Sequence, residues 1–113
     1  MSKQQIAAIG FLMAHLVNVS WAGSVNGATI ANLTVYQQIG DLLFIQTNQA
    51  VSSPPSCSNS TGAQFVVSLS SAIGQHTMAI LLAARAAQGT VSLTGSGACD
   101  LFSNVETLAS VTY

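Results

Sequence analysis

The chain has 113 residues, of which 50% are hydrophobic and only 4% are charged. Its two basic residues, Lys3 and Arg85, are set against three acidic ones, which gives a formal net charge of −1 at pH 7. This small number of basic residues argues strongly against binding to nucleic acid or anionic membranes, because both partners are held through many Lys and Arg contacts.

The N-terminal segment, 1–22, has the pattern of a secretory signal peptide. A polar start with one lysine is followed by an apolar run at 6–19, and then by the small residues Ser20 and Ala22 that signal peptidase requires. The run is shorter than the roughly 20 apolar residues of a membrane span, so no membrane insertion is expected. We predict cleavage after Ala22 and a single mature domain, 23–113, that is secreted or periplasmic in a bacterium. The alternative is a buried N-terminal helix.

The next segment, "ATIANLTVYQQ" at 28–38, alternates as a half-buried strand does. One face carries Ala31, Leu33 and Val35. The other face carries Ile30, Asn32, Thr34 and Tyr36. A turn at "IGD", 39–41, leads into a returning strand, "LLFIQT" at 42–47, so the two strands form a predicted hairpin.

The second half of the chain predicts three more strands and one helix. A Pro/Ser-rich loop precedes a strand at 63–70, which ends at "SSAIG". Residues 75–88 are predicted to be helical, with Gly89 as the C-terminal cap. Strands follow at 90–95 and 105–113. A mainly β chain with one helix, in the order β-β-β-α-β-β, is the layout of an OB-fold-like five-stranded barrel.

The two cysteines, Cys57 and Cys99, both lie in turn-like sequence, "PPSCSNS" and "GSGACD". An even cysteine count in a small exported chain indicates one disulfide. A metal site that recruited His76 would have only three soft ligands without paired spacing, so neither a metal nor a cofactor is expected. A phosphate loop at "GSGACD" is disfavoured because no lysine follows it. The glycines are more typical of a turn that lets Cys99 reach Cys57.

Three segments carry a family resemblance: "TIANLTV", "ILLAARAAQGTVSLTG", and the late cysteine after "GSGA". They resemble the binding subunits of bacterial AB5 toxins, of the subtilase-cytotoxin and typhoid-toxin type. The resemblance implies an OB-fold subunit that assembles into a homo-pentamer, with the helices lining a central pore. It also implies that one face of the ring binds host glycans and that the other receives a catalytic A subunit.

One position departs from that family. Its sialic-acid-binding members carry a serine on the first strand, within Ile-Ser-x-Leu, where this chain has Ala31 in "IANL". Without the hydroxyl, the family's sugar contact cannot form in the same way. We therefore expect another glycan, or no sugar at all.

Catalysis is not expected. Ser71, His76 and Asp100 can be drawn as a triad, but hydroxyls are abundant and the nucleophile-elbow motif is missing. A carboxylate pair for glycoside hydrolysis could be drawn from Asp41, Asp100 and Glu106. Asp41, however, suits the hairpin turn.

Candidate ligand-binding residues combine amides, a hydroxyl and an aromatic ring, which suit a neutral glycan: Asn32, Thr34, Tyr36 and Gln64. The first three share one side of the first strand, although solvation or contact with a neighbouring subunit would also explain that side. The sequence thus predicts a secreted, non-catalytic glycan-binding subunit. The alternatives are a self-assembling structural extracellular protein without a sugar ligand, and a small secreted inhibitor or enzyme.

Arg85 is the only charged residue of the predicted helix. At about 100° per residue, the side facing the barrel is expected to hold Ile80, Leu81 and Ala84. A second stripe, turned away toward other subunits, is expected to hold Met78, Leu82 and Arg85. We expect Arg85 to bond a carbonyl or carboxylate at an oligomer interface or pore lining. The alternative is a solvated arginine whose stem covers its neighbours on a monomer.

Overall fold

The strands and the helix are defined by a computed structural model that describes residues 21–113; residues 1–20, and with them most of the predicted signal peptide, lie outside the described part. The elements in chain order are β1 (Ser24–Val35), β2 (Leu42–Thr47), β3 (Phe65–Ser68), α1 (Ala72–Ala87), β4 (Thr90–Gly95) and β5 (Glu106–Thr112). The prediction of a mainly β chain with five strands and one helix is confirmed for these residues. None of their helical structure is long and apolar enough to span a membrane.

The five strands close into a barrel in the order β1-β2-β3-β5-β4. Neighbouring strands are antiparallel, except that β3 and β5 pair in parallel. β1 is long because its first half pairs with β4 and its second half with β2. Closure satisfies the backbone groups that an edge strand would leave unpaired.

A β-bulge interrupts β1 where its pairing with β2 begins. Ile30 pairs with Thr47 and Asn32 with Gln46, so Ala31 is the extra residue. Ile30 packs in the core before the bulge and Leu33 packs against the core after it. The predicted face that grouped Ile30 with Asn32 is therefore wrong, because the bulge reverses the alternation between them.

Two hydrophobic clusters lie on the two sides of the sheet. The barrel interior holds Val25, Ala28, Ile30, Leu43, Ile45, Phe65, Leu81, Ala84, Val91, Leu93 and Leu108. An outer cluster contains Phe44, Val66 and Val105, with Leu42, Ala63 and Phe102 packed around them. Because side chains alternate along a strand, Phe44 points away from the interior that its neighbours Leu43 and Ile45 fill.

α1 begins three residues earlier than predicted and ends at a different cap. Ser71 is the N-cap, and its Oγ accepts a hydrogen bond from the amide of Gly74 at 3.1 Å. Gly74, which precedes the predicted helix, is buried in the first turn. A Cβ at this position would overlap the carbonyl of Ser68, so only glycine fits. Gln88, not Gly89, adopts the left-handed conformation at the C-terminus, with φ of 54°.

The buried and exposed sides of α1 also differ from those predicted. Ile80, expected to face the barrel, is 38% exposed, whereas Met78, expected to face away, packs against the core. The buried side is centred on Gly74 and Leu81, and Met78 follows Gly74 by four residues, so it turns inward with them. Leu82 does point outward.

The predicted disulfide between Cys57 and Cys99 is confirmed, with the two Cα atoms 6.2 Å apart. It joins the β2–β3 loop to the β4–β5 loop, and the amides of Asn59 and Ser60 add hydrogen bonds to the carbonyl of Asn104. For a separation of 42 residues, loop-closure entropy makes the bond worth about 4 kcal/mol. A disulfide indicates an oxidising, non-cytoplasmic environment.

Candidate ligand-binding groove

A groove runs along the outside of the barrel, where β1 and β2 lie beside the loop before β3. Its polar end is lined by Asn32, Thr34 and Gln46, and its apolar end by Tyr36, Ile39, Phe44 and Phe102. The two ends are cavities of about 150 and 300 Å³. Because Tyr36, Phe44, Gly62 and Ala63 line both, the two form one depression, which we call the outer groove.

Three aromatic rings that pack edge to face form the floor of the outer groove. The ring centroids of Tyr36 and Phe44 lie 5.5 Å apart at 72°, and those of Phe44 and Phe102 lie 5.1 Å apart at 89°. Such edge-to-face contacts hold the rings in fixed orientations. Phe44 is buried, while Tyr36 is 48% exposed, so Tyr36 offers an aromatic surface supported from beneath.

The polar end is preorganised by a cross-strand contact. Asn32 and Gln46 are register partners, and Asn32 Nδ2 donates to Gln46 Oε1 at 2.8 Å. This bond uses one polar atom of each amide, so the Asn32 carbonyl oxygen and the Gln46 amino group can still bond a ligand. None of the described residues that line the outer groove is charged. The arrangement is suited to a neutral, hydroxyl-bearing ligand.

The structure brings together three of the four predicted ligand-binding residues, since Asn32, Thr34 and Tyr36 all line the outer groove. Gln64 lies in a neighbouring depression with other partners. Its Oε1 accepts from the amide and the hydroxyl of Thr47 at 2.7 and 2.8 Å, and its Nε2 donates to the carbonyl of Gln49 at 2.6 Å. Gln64 therefore fixes the backbone at residues 47–49, where the chain leaves β2.

Phe44, Gln46 and Phe102 line the outer groove but were not among the predicted ligand-binding residues. Gln46 could have been found by pairing the two hairpin strands with the bulge in place. Phe102 lies in the loop after Cys99 and carries no pattern that would link it to Phe44.

Arg85 turns toward its own barrel. Its Nη1 donates to the carbonyl of Ile30 at 2.5 Å and to that of Ala31 at 2.7 Å. These are the carbonyls at the bulge, so the side chain secures the irregular part of β1. The expected carbonyl partner is present, but it belongs to the same chain. The prediction that Arg85 points away from the barrel is wrong.

A larger depression, of about 530 Å³, lies beside Arg85 at the C-terminal end of α1. None of the described residues lining it is aromatic, and Arg85 already donates to two carbonyls. The C-terminal end of a helix also carries partial negative charge, which disfavours anions. The outer groove is therefore the better candidate site despite its smaller volume.

Residues considered for catalysis have other contacts. Ser71 Oγ caps α1, and Asp100 Oδ1 accepts a hydrogen bond from the hydroxyl of Thr107. That bond, followed by one from the Asp100 backbone, lowers the pKa of Asp100 from its ordinary 3.8. His76 is exposed on α1. Within residues 21–113, no group of three His, Cys, Asp or Glu side chains could hold a metal.

Comparison of the chain with protein families, with curated proteins and with solved structures gave no match. Support for a function therefore comes from the geometry of the chain itself.

Proposed function

We propose that this protein is an exported, non-catalytic subunit that binds glycans in the outer groove. The fold is proposed to be of the OB type, assembled into a homo-pentameric ring that carries a toxin A subunit. The observation that carries the proposal is the juxtaposition of an exposed, supported tyrosine ring with a preorganised pair of amides in an uncharged groove.

Sugar rings match this groove chemically. A pyranose presents C–H groups on its faces, which stack on an aromatic ring, and hydroxyls at its rim, which bond amides and hydroxyls. Tyr36 supplies the aromatic surface, while Asn32, Thr34 and Gln46 supply the polar groups. The uncharged lining and the alanine at position 31 both favour a neutral glycan over a sialylated one.

Exposed apolar side chains on α1 support assembly. Ile73 is 72%, Ile80 38% and Leu82 50% exposed, and the helix has no acidic residue. Its one charged side chain, Arg85, is directed to β1. Ile80 and Leu82 lie about 160° apart around the helix axis, on the two flanks of the buried side. A helix with apolar side chains on more than one side is usually buried on more than one side. Packing of these side chains against neighbouring helices would line the pore that the family resemblance implies.

Export is supported by the disulfide and by the change in burial at the proposed cleavage site. Trp21 is 71% exposed and Ala22 is exposed, whereas the next residue, Gly23, is buried. Among the described residues, burial thus begins at Gly23, the residue that would become the N-terminus after cleavage at Ala22.

The binding proposal is tested with exported protein on an array of neutral and sialylated glycans. Neutral glycans should give the stronger signal. Tyr36→Ala should weaken binding about tenfold or more, because truncating a hot-spot tyrosine costs about 2 kcal/mol or more and each 1.4 kcal/mol changes affinity about tenfold. Tyr113→Ala is the matched control, since Tyr113 is also exposed and does not line the outer groove. A signal dominated by sialosides, or equal loss in both variants, would contradict the proposal.

A second function is favoured by the same exposed apolar side chains of α1. A self-assembling structural extracellular protein would also bury Ile73, Ile80 and Leu82 between subunits, without a sugar ligand. Assembled protein that binds no glycan on the array would favour this alternative.

A further inference from the structure

Glu106 is the fully buried acidic residue of the described chain, with 0% of its surface exposed. Its Oε2 accepts hydrogen bonds from the amide of Gly97 at 2.8 Å and from that of Gly23 at 3.1 Å. Its Oε1 has no hydrogen-bond partner among residues 21–113. A buried carboxylate with one unpaired oxygen is costly unless a positive charge compensates it.

The chain offers few cations for that role. Arg85 is engaged with the carbonyls of Ile30 and Ala31. The other basic residue, Lys3, belongs to the proposed signal peptide. The nitrogen already in contact with Glu106 is that of Gly23, the first residue after the proposed cleavage site.

We propose that Glu106 is the buried binding site for the α-ammonium group that signal-peptide removal creates on Gly23. This rests on the proposed cleavage after Ala22. Hydrolysis of the Ala22–Gly23 peptide bond consumes one water, leaving a carboxylate on Ala22 and an amine on Gly23. The amine takes up a proton, since α-amino groups are largely protonated at pH 7.

The geometry suits an ammonium group. One amide hydrogen becomes three donors, so the nitrogen can keep its bond to Oε2 and offer another to the unpaired oxygen. Oε1 lies beside Gly23, because a Cβ built on that residue would be 2.7 Å from it. The added positive charge neutralises the buried carboxylate.

The surroundings fix the new N-terminus in place. The carbonyl of Gly23 accepts from the amide of Gly95 at 2.8 Å, and Ser24 exchanges two backbone hydrogen bonds with Ser52. A Cβ on Gly95 would overlap the Glu106 carboxylate, and one on Gly23 would also meet Val51. Glycine is therefore required on both sides of the carboxylate, and the residue after the cleavage site cannot carry a side chain.

The consequence is that cleavage stabilises the domain. The uncleaved chain presents one amide to Glu106, while the cleaved chain presents a charged group with more donors. Full stability is thus reached only after export.

The test compares exported wild-type protein with a variant that has one serine inserted between Ala22 and Gly23. The insertion keeps the Gly23 amide but moves the ammonium about 3.8 Å along the chain. Intact mass establishes each N-terminus. Thermal unfolding is then measured for both proteins with and without Glu106→Gln, as a double-mutant cycle.

We expect the insertion to lower the melting temperature of wild type by roughly 12 °C or more, the scale of a broken buried pair in a domain of this size. Glu106→Gln should lower it similarly in wild type but have little further effect in the insertion variant. If Glu106 accepts hydrogen bonds only from the two backbone amides, Glu106→Gln will lower the melting temperature equally in both backgrounds, and the proposal is wrong.

Amine reactivity gives a second readout that does not depend on the Glu106 variant folding. After cleavage at Ala22 the chain contains no lysine, so an N-hydroxysuccinimide ester reports the α-amino group alone. It should react roughly tenfold or more slowly in wild type than in the insertion variant, because reaction requires local opening. Equal rates, or an N-terminus other than Gly23, would overturn the inference. Glycan binding is a separate measurement, so failure of the groove proposal would leave this result unaffected.

Discussion

Replacing Arg85 with methionine tests how the irregular part of β1 is held. The substitution keeps an unbranched stem but removes the Nη1 donor that bonds the carbonyls of Ile30 and Ala31. A hydrogen bond to a charged group is worth about 1.5–3 kcal/mol. Arg85 is exposed, so water can reach this site, and a combined loss of about 2 kcal/mol for the two bonds is expected. In a domain of this size that lowers the melting temperature by roughly 8–16 °C.

The assay is thermal and urea unfolding followed by circular dichroism, at constant protein concentration. Ala86→Met is the matched control, because it introduces the same side chain on the exposed side of α1 one position away. The control should stay within about 0.5 kcal/mol of wild type, as surface substitutions usually do. If Arg85→Met also stays within that range, the two carbonyl contacts do not stabilise the barrel. Loss of assembly without loss of subunit stability would instead support an interface role for Arg85.

Three further predictions concern assembly, the disulfide and pH. Leu82→Glu should reduce the oligomer measured by light scattering while leaving the far-UV spectrum unchanged; an unaltered mass would exclude this side of α1 from the interface. Replacing both Cys57 and Cys99 by serine should lower the free energy of unfolding by about 4 kcal/mol, as measured in urea. The Thr107 hydroxyl lowers the pKa of Asp100, so its stabilising contribution is present above pH 3.8 and is lost as pH falls through the lowered value. Thr107→Val should return that pKa toward 3.8 in an NMR titration, and an unchanged value would show that the hydroxyl is not the cause.

Much of the fold follows from local patterns in the sequence. Alternation and turn residues predicted the first hairpin, and the cysteine count predicted the disulfide. The bulge at Ala31 could not be predicted, because an extra residue in a strand leaves no mark in composition. Gly74 was misplaced for a related reason: only the tertiary approach of the Ser68 carbonyl explains a glycine inside the first turn of α1.

The candidate site was predictable only within one strand. Asn32, Thr34 and Tyr36 lie after the bulge, where simple alternation again holds. Residues that reach the site from loops have no such periodicity, so Phe102 was missed. The burial of Glu106 was not predicted, because an isolated glutamate at the start of a strand gives no sign that it will be buried.

Glycan binding in the outer groove is tested most directly by NMR chemical-shift mapping of the exported protein, titrated with the neutral glycan that gives the strongest array signal. We predict saturable shifts centred on the Tyr36 ring and the side-chain amides of Asn32 and Gln46, while Tyr113 stays unchanged. Shifts centred on another surface, or none at saturating glycan, would contradict the assignment of the outer groove as the binding site.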